Sequence, residues 1–238
     1  MQLANNLQAI DLSLYLEEQK VLVVSDFHIG FEESLNKQGV FVPRFQLKDI
    51  LARLEKIFEQ TKPKIVVIAG DLKHEFGRIS EQEWRDVLRL IDFISKNCEQ
   101  IVLIKGNHDA ILAPIAKKRN VKVEKEFRVG KTIILHGDKI EGLPKEIKTI
   151  IIGHEHPAIS LQEKGRVEKF KCFLSGIYEK KRLIVLPSFN LVIEGTDVLK
   201  AELLSPFLKK VSDFKVFVVN DKTKEVLDFG KIKNLQMH

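Results

Sequence analysis

Five short apolar runs, each stopped by a polar or glycine-bearing turn, set the rhythm of the chain: VLVVSD (21–26), IVVIAGD (65–71), IVLIKGNHD (101–109), TIILHGD (132–138) and TIIIGHEH (149–156). They are rich in β-branched residues and nearly continuous in apolar character, which is how a strand covered on both faces reads. Helical patterns lie between the early runs. In RFQLKDILARLEKIFEQ, residues Leu47, Ile50, Leu51, Leu54, Ile57 and Phe58 recur on one face at helical spacing. Pro43 precedes that helix, where a missing N–H costs little. Ser80-x-x-Glu83 has the capping-box pattern, and Trp84, Val87, Leu88, Ile91 and Ile94 form the apolar face behind it. Strands alternating with helices predict βαβ units and a largely parallel sheet.

Beyond residue 156 the pattern changes. AISLQEKGRVEKFKCFLSG and KRLIVLPSFNLVIEG read as strands joined by tight turns. The N-terminal AIDLSLYLEE alternates, with Ile10, Leu12, Leu14 and Leu16 on one side of an extended segment. These pieces predict a second sheet stacked on the first. The expected fold is α/β: a two-layer β-sandwich of mixed sheets flanked by helices, in the order α/β/β/α. Residues 1–204 are expected to form one domain, with 205–238 a small C-terminal β appendage packed on it. Phe214, Val216, Phe217 and Val218 in that tail are expected to be exposed and able to pair with a second subunit, as in a homo-oligomer.

Composition adds little to the fold and something to the partners. The 238 residues are 44% hydrophobic and 30% charged, as in a soluble globular chain with one sizeable core. The net charge of +6 suits a phosphate-bearing substrate, although the charge is dispersed rather than gathered in one block. The two cysteines, Cys98 and Cys172, sit among apolar neighbours and read as buried thiols. The N-terminal residues show no signal-peptide pattern, and no apolar stretch approaches a membrane span. A cytoplasmic protein without a membrane partner is expected.

The chemistry sits where the apolar runs end. Asp26-Phe27-His28, Gly70-Asp71, Gly106-Asn107-His108-Asp109, His136-Gly137-Asp138 and Gly153-His154-Glu155-His156 follow five predicted strands. Sites in open α/β sheets form outside the carboxyl ends of strands, so these clusters are expected to converge. They offer imidazole nitrogens, carboxylates and an amide oxygen, a mixed set suited to Mn, Fe or Zn rather than calcium. An Asp-x-His spacing puts both side chains on one side of an extended backbone, and His154-x-His156 repeats that spacing. Asp71 has two oxygens with which to bridge two metals about 3.5–4 Å apart. Of the seven histidines, five lie inside these clusters. Each cluster alone has an ordinary explanation, since Asp26 can end a strand and Gly106-Asn107 is a routine turn dipeptide. Five in succession do not.

In that order, D-x-H, G-D, G-N-H-D, H and G-H-x-H resemble the motifs of the calcineurin-like metallophosphoesterase superfamily, over residues 21–157. LPSFNLVIEGTDV (186–198) and GDLKHEFG around residue 74 resemble one subgroup: archaeal phosphoesterases related to the SbcD nuclease, with the DNA-ligase-associated phosphoesterases. The resemblance implies that Asp26, His28 and His156 hold one metal, that Asn107, His136 and His154 hold another, and that Asp71 bridges them. It makes His108 a catalytic group facing the substrate, oriented by Asp109, and names His74 and Arg182 as phosphate contacts. The implied cofactor is two divalent ions, Mn²⁺ first, with Fe, Zn or Ni as alternatives. The implied activity is metal-dependent hydrolysis of phosphate esters, diesters before monoesters, with nucleic acid or a nucleotide as substrate. The alternatives are a phosphomonoesterase or nucleotide phosphatase, and a non-catalytic DNA-repair scaffold. A degenerate scaffold usually loses ligands, and here all seven are present.

Overall fold

The computed structural model describes residues 1–75, 80–109, 116, 118–119, 121–163, 165–200 and 202–235. His238 and the last two residues of GDLKHEFG lie outside the described residues. The first sheet begins with β1 (Gln2–Ala4), β2 (Leu7–Ile10), β3 (Ser13–Leu16) and β4 (Val21–Val24), antiparallel in succession. It continues in parallel with β5 (Ile65–Ile68), β6 (Gln100–Ile104) and β7 (Lys122–Glu124). The second sheet is built from β8 (Glu126–Val129), β9 (Thr132–Leu135), β10 (Thr149–Ile152), β11 (Pro157–Glu163), β12 (Arg166–Tyr178), β13 (Lys181–Val185) and β14 (Thr196–Asp197), in the order β14-β11-β12-β13-β10-β9-β8. Its centre, β9-β10-β13, is parallel. β15 (Lys215–Val219) adds to β12, and β16 (Val226–Lys231) pairs with β15. The helices are α1 (Phe31–Lys37), α2 (Gln46–Thr61), α3 (Glu81–Ser95) and the short α4 (Ile232–Leu235). These are two mixed sheets with flanking helices, as the pattern predicts.

The continuous apolar runs have a direct cause. Side chains alternate across a strand, and the second sheet has a separate core on each face. Ile134, Ile151, Phe173, Ile184 and Phe217 point into the sandwich, where they join β2–β6 and the apolar faces of α2 and α3. Their neighbours Ile133, Ile150, Ile152, Leu183, Val185 and Val218 point outward into a second core, closed by Phe207, Leu208, Phe214 and Ile232. Ser80 caps α3 as expected, its Oγ accepting the Glu83 N–H at 3.1 Å.

Two expectations are corrected here. The N-terminal segment is not one alternating strand of the second sheet. It is a hairpin of the first sheet, with Ile10 opposite Ser13 and Asp11 at φ 53° in the two-residue turn. The tail residues Phe214, Val216, Phe217 and Val218 are at most 3% exposed. Because β15 pairs with β12 and serves a core on each face, they offer no surface to a second subunit. Among the described residues no helix is long and apolar enough to cross a membrane.

One buried ion pair ties the periphery together. Arg53 of α2 binds Asp11 of the hairpin turn in bidentate fashion, and its Nη1 reaches Asp221 after β15 at 2.8 Å. Removing one partner of a buried pair leaves the other uncompensated. Arg53→Met is therefore expected to cost about 3–5 kcal/mol of unfolding free energy, read by urea denaturation. A change below about 1 kcal/mol, the worth of an exposed pair, would contradict the role given to it.

Candidate metal centre

Strands β4, β5 and β6 of the first sheet and β9 and β10 of the second end at the same edge of the sandwich. The five polar clusters follow immediately, and the structure brings all seven expected ligands together there. The backbone does this differently from the extended spacing argument. Asp26, His28, Asp71, His154 and His156 have φ of 56°, 44°, 48°, 66° and 51°. Five left-handed non-glycine residues, each costing about 1–2 kcal/mol, turn the side chains inward where strand alternation does not. Neighbouring backbone holds them in place. Asp26 N–H donates to Gly70 O at 3.1 Å and His28 N–H to Asp71 O at 2.9 Å. The glycines of the motifs leave room for this. A Cβ on Gly106 would lie 2.1 Å from Asp71 Oδ1, and one on Gly153 would lie 2.6 Å from Asp26 Oδ2.

The ligand atoms form two groups joined by one carboxylate. Asp26, His28 and His156 offer atoms within 4.8 Å of one another, and so do Asp71, His136 and His154. His156 Nε2 is 3.3 Å from Asp26 Oδ1 and 3.2 Å from His28 Nε2. His136 Nε2 is 2.9 Å from Asn107 Oδ1 and 3.2 Å from His154 Nδ1. Asp71 Oδ2 lies between the groups, 3.7 Å from His28 Nε2 and 3.4 Å from His136 Nε2. Each group takes residues from both sheets.

The donors fit a pair of cations. Among the described residues, Asp26 Oδ1 and His28 Nδ1 are buried without a hydrogen-bond partner, a state that is costly unless something else satisfies them. His136 Nδ1 lies 3.0 Å from the Ala69 carbonyl, which assigns the proton to Nδ1 and leaves the Nε2 lone pair facing inward. Burial opposes the charge on Asp26, yet the imidazoles of His156, His136 and His28 hold it below the usual carboxylate range. Burial and the neighbouring His156 push His28 down to about 3. Burial also opposes a charge on His136, but Asp71 and Asp26 overcome it and raise its pKa to about 9.

The remaining expected residues divide. His108 stands beside the centre, its Nε2 4.0 Å from Asp71 Oδ2 and its ring edge-on to His28 at 4.8 Å. Its Nδ1 faces the His74 carbonyl at 2.6 Å. The buried Asp109 carboxylate turns to the main-chain N–H groups of Gly106 (3.0 Å) and Leu72 (3.2 Å), and so fastens the loop after β6 to the loop after β5. Burial and Asp71 raise its pKa to about 6. His74 stacks on His108 with ring centroids 5.6 Å apart, and clusters with His28 and His108. Arg182 lies elsewhere: it pairs with Thr149 where β10 and β13 begin, at the opposite end of the sheet.

Several supporting residues had no assigned role in the sequence. Ser188 Oγ donates to Asp26 O at 2.7 Å, and Asn190 Nδ2 donates to Phe27 O at 3.0 Å. Gln46 Nε2 donates to the same Phe27 carbonyl at 3.1 Å. The quoted segment LPSFN carried the signal, because a serine and an asparagine in an apolar run need buried partners. Glu155, in the variable place of G-H-x-H, is also buried, and it accepts the Ser205 N–H at 2.9 Å.

Comparison with known proteins identifies the family. The family model for calcineurin-like phosphoesterases matches residues 19–151. That is more than half of the chain, and the chain belongs to this family. The family uses divalent metals, and the clusters described above are able to bind them. Among solved structures it is similar to the Pseudomonas putida nuclease MPE, at 21% identity over 94% of each chain with a TM-score of 0.66. It is also similar to Yfce, a phosphoesterase from E. coli, at 12% identity over 87% of this chain and 95% of that one, with a TM-score of 0.40. At 21% identity the first likeness shows a shared fold. No curated protein sequence matches the chain.

Metal binding is expected to be linked to pH. Without metal, His136 keeps a proton below about pH 9, and that proton must leave before Nε2 can act as a ligand. Affinity should therefore rise with pH up to about 9. Calorimetric titration at neutral pH, in buffers of different ionisation heat, should show release of about one proton on metal binding. Release of none would contradict the assignment.

Proposed function

We propose that the chain is a phosphodiesterase that works with two divalent ions, Mn²⁺ first, and acts on nucleic acid or nucleotides. Asp26, His28 and His156 would hold one ion, Asn107, His136 and His154 the other, and Asp71 both. The observation that carries the reading is the single Asp71 carboxylate set between two His-rich groups, with His108 beside it. When bound, the ions activate water and neutralise charge on the phosphoryl oxygens.

The chain's own residues do the rest. The His74 carbonyl fixes the Nδ1 proton of His108, so that Nε2 faces the reacting group and can exchange a proton with the leaving oxygen. Asp109 is a positioning residue: it holds the loop that carries Asn107 and His108 against the loop that carries Asp71. His74, stacked on His108, would contact the phosphate, and its position beside that ring supports the role. The nuclease named among the structural neighbours supports a diester over a monoester, and the net charge of +6 suits a polyanionic strand. Ser188 and Asn190 of LPSFN hold the Asp26–His28 turn, which gives that segment a structural role.

The test compares bis(4-nitrophenyl) phosphate with 4-nitrophenyl phosphate in the presence of Mn²⁺. The diester should have the higher kcat/KM. Asp71→Asn should abolish turnover, and His108→Ala should lower kcat by roughly 10²–10⁴ with the thermal midpoint preserved. A preference for the monoester would move the assignment to a phosphomonoesterase. Undiminished turnover in both variants would place the chemistry elsewhere.

A further inference from the structure

A recess of about 360 Å³ opens beside the metal centre and shares Asn107 and His136 with it. Its lining also includes Lys105, Lys125 and Lys139, with Glu126, Asp138 and Glu141. Neither the metal-ligand geometry nor the roles given to His74 and His108 uses these lysines.

The fold places two of these lysines side by side. Strands β6 and β7 are parallel, with Ile104 opposite Glu124, and Lys105 N–H donates to Glu124 O at 3.0 Å. Lys105 and Lys125 follow directly on the two strands, one residue beyond the paired Ile104 and Glu124. Like charges placed opposite one another repel, and this pair gains from an anion between them. The carboxylates nearby are largely taken. Lys139 pairs with Glu141 at 2.8 Å, with Lys125 acting on the same carboxylate at longer range, and Arg128 pairs with Glu126 at 2.5 Å, which leaves Asp138. Among the described residues neither Lys105 nor Lys125 makes an ion pair, and both are exposed. A lysine ammonium binds phosphate as a point charge. The recess is large enough to take a phosphate with part of its sugar.

We propose that Lys105 and Lys125 form a subsite for a second phosphate, one linkage along from the phosphate at the metal centre, and that the substrate is the backbone of a nucleic-acid strand. The inference rests on the phosphodiesterase reading and deepens it. An isolated diester has no group for this subsite. A strand that leaves the metals on the Asn107 side carries its next charge directly onto it.

The experiment separates the two. Hydrolysis of bis(4-nitrophenyl) phosphate by the wild-type protein with Mn²⁺ reports the metal-site reading alone. Fluorescence anisotropy of a labelled oligothymidylate, titrated with the full chain carrying Asp71→Asn to block cleavage, reports the subsite. In that background K105Q/K125Q should weaken binding about tenfold near 0.1 M salt, and should reduce the slope of log Kd against log salt by about 1.4, at about 0.7 per lost charge on a single strand. K105R/K125R should keep the parent affinity, which separates charge from fold. Unchanged affinity and slope in K105Q/K125Q would overturn the subsite, as would a parent that does not bind the oligonucleotide. Competition by inorganic polyphosphate as effective as by unlabelled oligothymidylate would overturn the nucleic-acid assignment.

Discussion

Two carboxylates and four imidazoles packed within a few ångström of one another, mostly out of water, form a cluster that a protein keeps only where positive charge fills the space between them. Asp26 and Asp71 are 0–3% exposed in their side chains, and the nitrogens of His28 and His156 approach to 3.2 Å. That constraint explains the local architecture. Five residues accept a left-handed backbone, and two glycines give up their side-chain space to the carboxylates. Buried Asp109, Ser188 and Asn190 spend their hydrogen bonds on main chain rather than on the centre.

The same constraint ties the two sheets together. Asp26, His28, Asp71 and Asn107 come from strand ends of the first sheet, and His136, His154 and His156 from those of the second. Each metal group crosses between them. Behind it, the second sheet is buried on both faces, so its strand ends have little freedom to drift. A rigid sandwich edge and the cations that its clusters are able to bind would thus hold one another, and bound metal is expected to stabilise the fold as well as the site.

What the sequence made legible follows from this. Ile150, Ile151 and Ile152 read as a covered strand because alternate side chains enter different cores. The ligand set was legible because few other arrangements explain so many polar residues at strand ends. The backbone route to the site was not: Asp and His tolerate positive φ only modestly, and nothing at Asp26 or His156 announces it. The resemblance implied that Asp109 orients His108, and nothing in the sequence pointed to the N–H groups of two loops that its buried carboxylate accepts. The turn between β2 and β3 is two residues long, so it left the apolar alternation unbroken and hid a hairpin inside one apparent strand. Arg182 failed on a matter of ends. Its segment was read as a strand, but the sequence does not say which end of that strand faces the centre.

The central claim is that one carboxylate, Asp71, joins two metal sites. Electron paramagnetic resonance during titration of the metal-free protein with Mn²⁺ tests it directly, because ions about 3.5–4 Å apart couple magnetically. Two Mn²⁺ per chain with a coupled spectrum are expected, and in Asp71→Asn the loss of that coupling. A single Mn²⁺ per chain with the spectrum of an isolated ion would contradict it.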